Sequence, residues 1–150
     1  MSVDVVTETT IRAPVESVAA YATDPSNAPE WYANIDSVEW ETPPPAQVGS
    51  RVAFVARFLG RRLAYTYEIV DLVENERLVM RTAQGPFPME TTYSWRPLPD
   101  GSTHMTLRNR GEPSGFSRFT APFMAAAMRR ANAKDLANLR RLVESGRHLQ

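Results

Sequence analysis

Hydrophobic residues recur along this chain with two periods, and the change from one to the other divides it. Val3, Val5, Thr7, Thr9 and Ile11 alternate with Asp4, Glu8 and Arg12, which predicts a strand with one side buried. Ala13-Pro14 then opens a short helix whose Val15, Val18, Ala19 and Ala22 follow an i, i+3, i+4, i+7 stripe. Asp24-Pro25 and Ala28-Pro29 break the chain before a second short helical piece carrying Trp31 and Tyr32, and Val38 to Glu41 reads as a brief strand. Pro43, Pro44 and Pro45 form a stiff loop, too short to be a domain linker. From Ser50 the period of two returns as an antiparallel meander, with strands expected over Ser50 to Phe58, Arg62 to Val73, Arg77 to Ala83, Met89 to Leu98 and Ser102 to Arg110. Leu59-Gly60-Arg61, Glu74-Asn75 and Pro99-Asp100-Gly101 supply turn residues between them.

The last long stretch, about Phe119 to Ser145, switches to helical periodicity with no Pro or Gly after Pro122. At roughly 100° per residue, Met124, Met128, Leu136, Leu139, Leu142 and Val143 share one arc. Arg130, Lys134, Ala137, Arg141 and Glu144 fall opposite, and Gly146 stands where a C-terminal glycine stops a helix. Asn132 sits near the centre of the apolar arc and Asp135 near its edge. A polar side chain facing a core needs hydrogen-bond partners or a wet cavity, so the helix is expected to close over a space. Strands segregated from one main helix make the fold α+β, with an antiparallel sheet wrapped on that helix.

Particular residues resemble a known family. Ile11-Arg12-Ala13-Pro14-Val15-Glu16-Ser17-Val18 resembles the strand-to-helix opening of the SRPBCC, or START-like, superfamily. Trp31 with Ile35-Asp36-Ser37-Val38 resembles its second helix and strand, and Val48-Gly49-Ser50 the entry to its third strand. Tyr67-Glu68-Ile69-Val70 with Glu76-Arg77-Leu78 resembles its central hairpin. The likeness runs from Val3 to Val143 and is strongest toward the polyketide cyclase/dehydrase and lipid-transport branch. It implies a helix-grip fold: a curved seven-stranded antiparallel sheet, two short helices after the first strand, and a long C-terminal helix gripped around an apolar cavity. Cyclases, carriers, receptors and co-chaperones share that fold, so function has to be argued from the site.

Composition narrows the chemistry. The 150 residues suit a single domain spanning the whole chain. The 17 basic and 17 acidic residues balance, which argues against nucleic acid or an anionic membrane surface as partner. Without cysteine there is no disulfide, thiol nucleophile or thiolate metal site. No apolar run approaches the roughly 20 residues of a membrane span, so membrane insertion is not expected. The start, Met1-Ser2-Val3-Asp4, lacks the regions of a signal peptide, and a cytoplasmic protein is expected. His104 and His148 are the only histidines; His104 alternates onto the outer strand face and His148 falls in the tail, so neither a serine-type triad nor a zinc site is supported. No cofactor or metal is expected. The Arg129-Arg130 and Arg140-Arg141 pairs read as a solvated helix face, and the state of assembly stays open between monomer and homodimer.

The more apolar strand faces supply an expected lining: Val52, Phe54, Ala56 and Phe58; Leu63, Tyr65, Tyr67 and Ile69; Leu78, Met80 and Thr82; Met89, Thr91, Tyr93 and Trp95; Met105, Leu107 and Asn109; with Met128, Asn132 and Leu136 from the helix. It contains no charge. The candidate ligand-binding residues are Phe54, Tyr65, Tyr67, Met80, Thr91, Tyr93, Trp95, Met105, Asn109, Met128 and Asn132, an apolar set with a few orienting polar groups. Each of these side chains has the plainer alternative of filling the core. Glu68, Arg81 and Glu90 belong to the opposite faces unless a bulge intervenes, and an inward Glu or Arg would favour catalysis. The tyrosines are read as orienting groups, because a phenol near pKa 10 is a poor acid–base at neutral pH. The resemblance places Trp31 and Tyr32 in a helical lid beside the cavity mouth, which the loop Gly85 to Pro88 and the segment Gly111 to Phe116 could also border. Trp31 is read as a core anchor, with a gate at that mouth as the alternative. The expected partner is an apolar or aromatic small molecule, lipid- or polyketide-like. The alternatives are a cyclase or dehydratase using the same cavity, and a protein-interaction module with a vestigial one.

Overall fold

The computed structural model describes residues 3–58, 60–84, 88–111 and 121–146. The order is β1 (Val3–Ile11), α1 (Val15–Thr23), a 3-10 turn (Pro25–Asn27), α2 (Ala28–Trp31), β2 (Ile35–Trp40), β3 (Arg51–Phe58), β4 (Arg61–Val73), β5 (Arg77–Gln84), β6 (Met89–Pro97), β7 (Thr103–Gly111) and α3 (Ala121–Glu144). The seven strands form one antiparallel sheet in the order β1-β7-β6-β5-β4-β3-β2. The chain therefore meanders from β2 to β7, and β1 closes the far edge against β7, with Val3 opposite Gly111 and Ile11 opposite Thr103. The α+β architecture with two short helices and a long C-terminal one is the expected fold.

Boundaries depart from the sequence pattern mainly at β2. This strand begins at Ile35, three residues before the expected Val38, because Ile35 pairs with Ala56 and an irregularity follows before Ser37. A bulge interrupts the polar–apolar alternation there, so the pattern hides the first half of the strand. Irregularities also occur in β4 against β5, between Thr66 and Tyr67 and between Ile69 and Asp71. The charged residues stay on the outer face: Arg81 Nε donates to Glu90 Oε2 at 2.6 Å and Arg51 pairs with Glu68 at 3.1 Å. Past the second irregularity the inward position shifts by one, and Leu72 pairs with Leu78 and packs on the core. The histidine of the same outer surface, His104, meets Glu8 with Nε2 2.7 Å from Oε1.

The inner face packs on α3, whose buried Leu136, Leu139 and Val143 form one core with Ile11, Val18, Ala22, Trp31, Ile69, Leu78, Trp95, Met105 and Leu107. Gly146 sits just past the helix at φ +93°, where a Cβ would be strained, and its N–H reaches the Val143 carbonyl at 3.1 Å. Glu144 Oε2 accepts from the Arg12 N–H at 2.8 Å, tying the end of α3 to the β1–α1 corner. The turn after α2 is fixed to α3 from the other side: Asp135 Oδ1 accepts from the Ala33 N–H at 3.0 Å, and Asn138 Nδ2 donates to the Trp31 carbonyl at 3.4 Å. Trp31 is an anchor, 1% exposed, with its ring against Tyr32 and Tyr93. Among the described residues no helix is long and apolar enough to cross a membrane.

Candidate functional site

Alternation places the same faces of β3 to β7 inward, and over the first half of α3 those faces do not meet the helix solidly. A cavity of about 140 Å³ remains. Its wall takes Phe54 and Ala56 from β3, Leu63, Tyr65 and Tyr67 from β4, Met80 from β5, Met89, Thr91 and Tyr93 from β6, and Asn109 from β7. Val3 closes one side, Tyr32, Asn34 and Ile35 another, and α3 contributes Met124, Met128, Ala131, Asn132 and Asp135. Arg57, Arg110 and Gly111 reach it from the rim.

Nine of the candidate residues therefore converge on one space: Phe54, Tyr65, Tyr67, Met80, Thr91, Tyr93, Asn109, Met128 and Asn132. Trp95 and Met105 do not. They face each other across β6 and β7, 5% and 0% exposed, inside the solid core. Trp95 lies four residues beyond Thr91, about 13 Å further along the strand. There α1 and the Leu136–Leu139–Val143 side of α3 fill the interior. Val52, Ile69, Leu78, Leu107 and Leu136 share that fate. The Phe58 side chain, the loop residues 85–87, the segment 112–120 and His148 lie outside the described residues.

The polar groups are organised as two short chains. Thr91 Oγ1 donates to Asn109 Oδ1 at 2.8 Å, so its own acceptor site takes the Tyr67 hydroxyl, 2.7 Å away. Tyr32 and Tyr93 hold their hydroxyls 2.7 Å apart across the space between α2 and the sheet. Burial raises all four cavity phenols; Tyr67 is pushed up to about 12 despite the opposing bond from Thr91, and Tyr32, Tyr65 and Tyr93 are also raised. They are permanent neutral donors at physiological pH, consistent with orienting groups.

The expectation of an uncharged lining is corrected by Asp135. Its carboxyl is 2% exposed yet borders the cavity, and among the described residues it makes no ion pair. Burial lifts its pKa from 3.8 to about 6, against the Ala33 N–H and the nearby Lys134, which lower it. Helical spacing put Asp135 at the margin of the apolar arc; the turn carrying Tyr32 and Ala33 folds over that margin and encloses it. Asn132, three residues earlier on the same face, is 6% exposed, and its Nδ2 has no hydrogen-bond partner among the described residues.

With this geometry in place, the sequence matches the family model for polyketide cyclase/dehydrase and lipid transport over residues 2–144. The chain belongs to that family. Solved structures of similar fold include an aromatase/cyclase, Zhui from Streptomyces sp. R1128, at 17% identity and TM-score 0.81, covering 100% of this chain and 97% of that one. TTHA0849 from Thermus thermophilus aligns at 20% identity and TM-score 0.81 over 95% of this chain and 97% of its own. A START superfamily protein from Mycobacterium smegmatis aligns at 17% identity and TM-score 0.73 over 95% and 94%. At these identities the likeness speaks to the fold. No curated protein sequence matches. The fold is thus the START-like one the sequence resembles, and the family supports hydrophobic ligand binding or cyclase chemistry without choosing between them.

Proposed function

We propose that this protein binds an apolar or aromatic small molecule between the sheet and α3. The observation that carries this is the 140 Å³ space, walled by Phe54, Leu63, Met80 and Met128 and dotted with neutral hydroxyl and amide groups. Apolar contact supplies most of the affinity, at roughly 25 cal/mol per Å² buried, and the tyrosine and asparagine groups set orientation. The volume suits one ring: an apolar hollow of about 150 Å³ accepts benzene, whereas drug-sized ligands occupy roughly 300 Å³ or more. Larger lipid- or polyketide-like guests require the Tyr32 side or the Met128 side to move outward. Native mass spectrometry of the purified protein tests the reading, backed by a thermal-shift screen of single-ring aromatics, polycyclic aromatics, sterols and fatty acids. If no class of apolar compound raises the melting temperature, the binding reading fails.

Asp135 favours a second reading, in which the bound molecule is also enolised. A carboxylate with pKa about 6 in a water-poor site is suited to accept a proton from a carbon next to a carbonyl. The Tyr32–Tyr93 pair offers a hydroxyl to the enolate oxygen. Deuterium exchange at the α-carbon of a bound ketone, followed by NMR in heavy water, tests this. Exchange that is unaffected by Asp135→Asn refutes it.

A further inference from the structure

Resting on the binding reading above, the structure also restricts what the guest is. We infer that it is a single-ring molecule without negative charge, bearing a carbonyl or ether oxygen that accepts from Asn132 Nδ2. Asn132 is buried to all but 6% of its surface and faces the cavity, and its amide N–H bonds have no acceptor among the described residues. A buried donor left unsatisfied is costly, so the missing acceptor is expected from whatever fills the space.

A second donor is available beside it. Tyr32 and Tyr93 share one hydrogen bond, in which one hydroxyl donates and the other accepts. The accepting hydroxyl keeps its own proton, with no further acceptor among the described residues. Two unspent donors, the Asn132 amide and one hydroxyl of the tyrosine pair, therefore stand at the cavity, while Asn109 Oδ1 already accepts from Thr91. A guest with lone pairs complements it, whereas a pure hydrocarbon leaves Asn132 unpaired.

Negative charge on the guest is disfavoured by what stands next to Asn132. Asp135 lies on the same helix face and its carboxyl is buried at the cavity wall, with no cation paired to it among the described residues. The arginines that reach the cavity, Arg57 and Arg110, are exposed at the rim and already meet Asp36 and Glu90. A carboxylate inserted deep enough to reach Asn132 is held beside Asp135 and away from those arginines, in a medium that screens poorly.

Three molecules of nearly one shape test this: acetophenone, α-methylstyrene and benzoate. They differ in whether the branch carries a neutral oxygen, a methylene or a charge. By calorimetry at about pH 8, where Asp135 is ionised, acetophenone is expected to bind about tenfold more tightly than α-methylstyrene. Benzoate is expected to bind more weakly than either. In Asn132→Leu the advantage of acetophenone disappears while α-methylstyrene still binds, which also reports that the variant is folded. In the wild type, the Asn132 side-chain amide resonances should move with acetophenone and not with α-methylstyrene. Equal affinities of acetophenone and α-methylstyrene in the wild type, as when a water satisfies the amide, overturn the inference and leave the binding reading standing. Benzoate binding as tightly as acetophenone overturns the exclusion of anions. Failure of all three overturns the inference as well, and the binding reading is then decided by the thermal-shift screen of the larger apolar classes.

Discussion

Replacing Asp135 with asparagine keeps the shape of the side chain and an acceptor for the Ala33 N–H, and removes the charge. Because the folded pKa of about 6 lies above the ordinary 3.8, the folded protein holds a proton between those values that the unfolded chain has lost. Stability from this group is therefore fully present below 3.8 and is lost as pH rises through about 6. The full rise corresponds to about 3 kcal/mol, at 1.36 kcal/mol for each tenfold change. Asp135 borders a cavity that water can enter, so roughly half of that is a sounder figure once screening is allowed for. Asp4, Asp100 and Glu144 have lowered pKa values and so lose stability only at lower pH, below their ordinary 3.8 and 4.5. The difference between wild type and Asp135→Asn, taken by urea denaturation across pH, isolates Asp135 from every other titrating group. The variant is expected to gain about 1–2 kcal/mol relative to wild type on going from about pH 4.5 to about pH 8, or about 3–6 °C in melting temperature. A difference that stays flat over that range refutes the idea that Asp135 is a buried, unpaired carboxylate.

Other consequences are as direct. Met105→Ala is expected to cost about 2–5 kcal/mol, because Met105 sits in solid core, and to leave acetophenone affinity unchanged. Met128→Ala, at the cavity wall, is expected to cost about 1–2 kcal/mol and to admit a two-ring probe of naphthalene shape; indistinguishable probe binding by the two variants would show that the cavity boundary is misplaced. Tyr67→Phe removes the donor to Thr91 and is expected to cost about 1 kcal/mol, measured by thermal unfolding. Tyr32, Tyr65, Tyr67 and Tyr93, four of the five tyrosines, are expected to stay un-ionised up to about pH 11 while the fold persists. Near-ultraviolet difference absorbance checks this, and a rise equivalent to more than one phenolate in folded protein contradicts it.

Alternation alone told which residues of β3 to β7 face inward, and Phe54, Tyr65, Tyr67, Met80, Thr91, Tyr93 and Asn109 do meet in one place. A period of two fixes the face of a strand wherever no bulge intervenes, so this much was legible in the sequence. The same holds for α3, where spacing placed Met128 and Asn132 on the side that meets the sheet. Periodicity carries no information about depth along a strand. Trp95 and Met105 therefore looked like cavity residues, and only the packing of α1 and the second half of α3 against them made them core. Asp135 shows the complementary limit. Its position on the helix was readable, but its burial depends on the Tyr32–Ala33 turn crossing from a distant part of the chain and lending one N–H. Local pattern is a property of neighbours in sequence, whereas enclosure and the pKa it imposes are set by groups brought together only when the sheet closes on the helix.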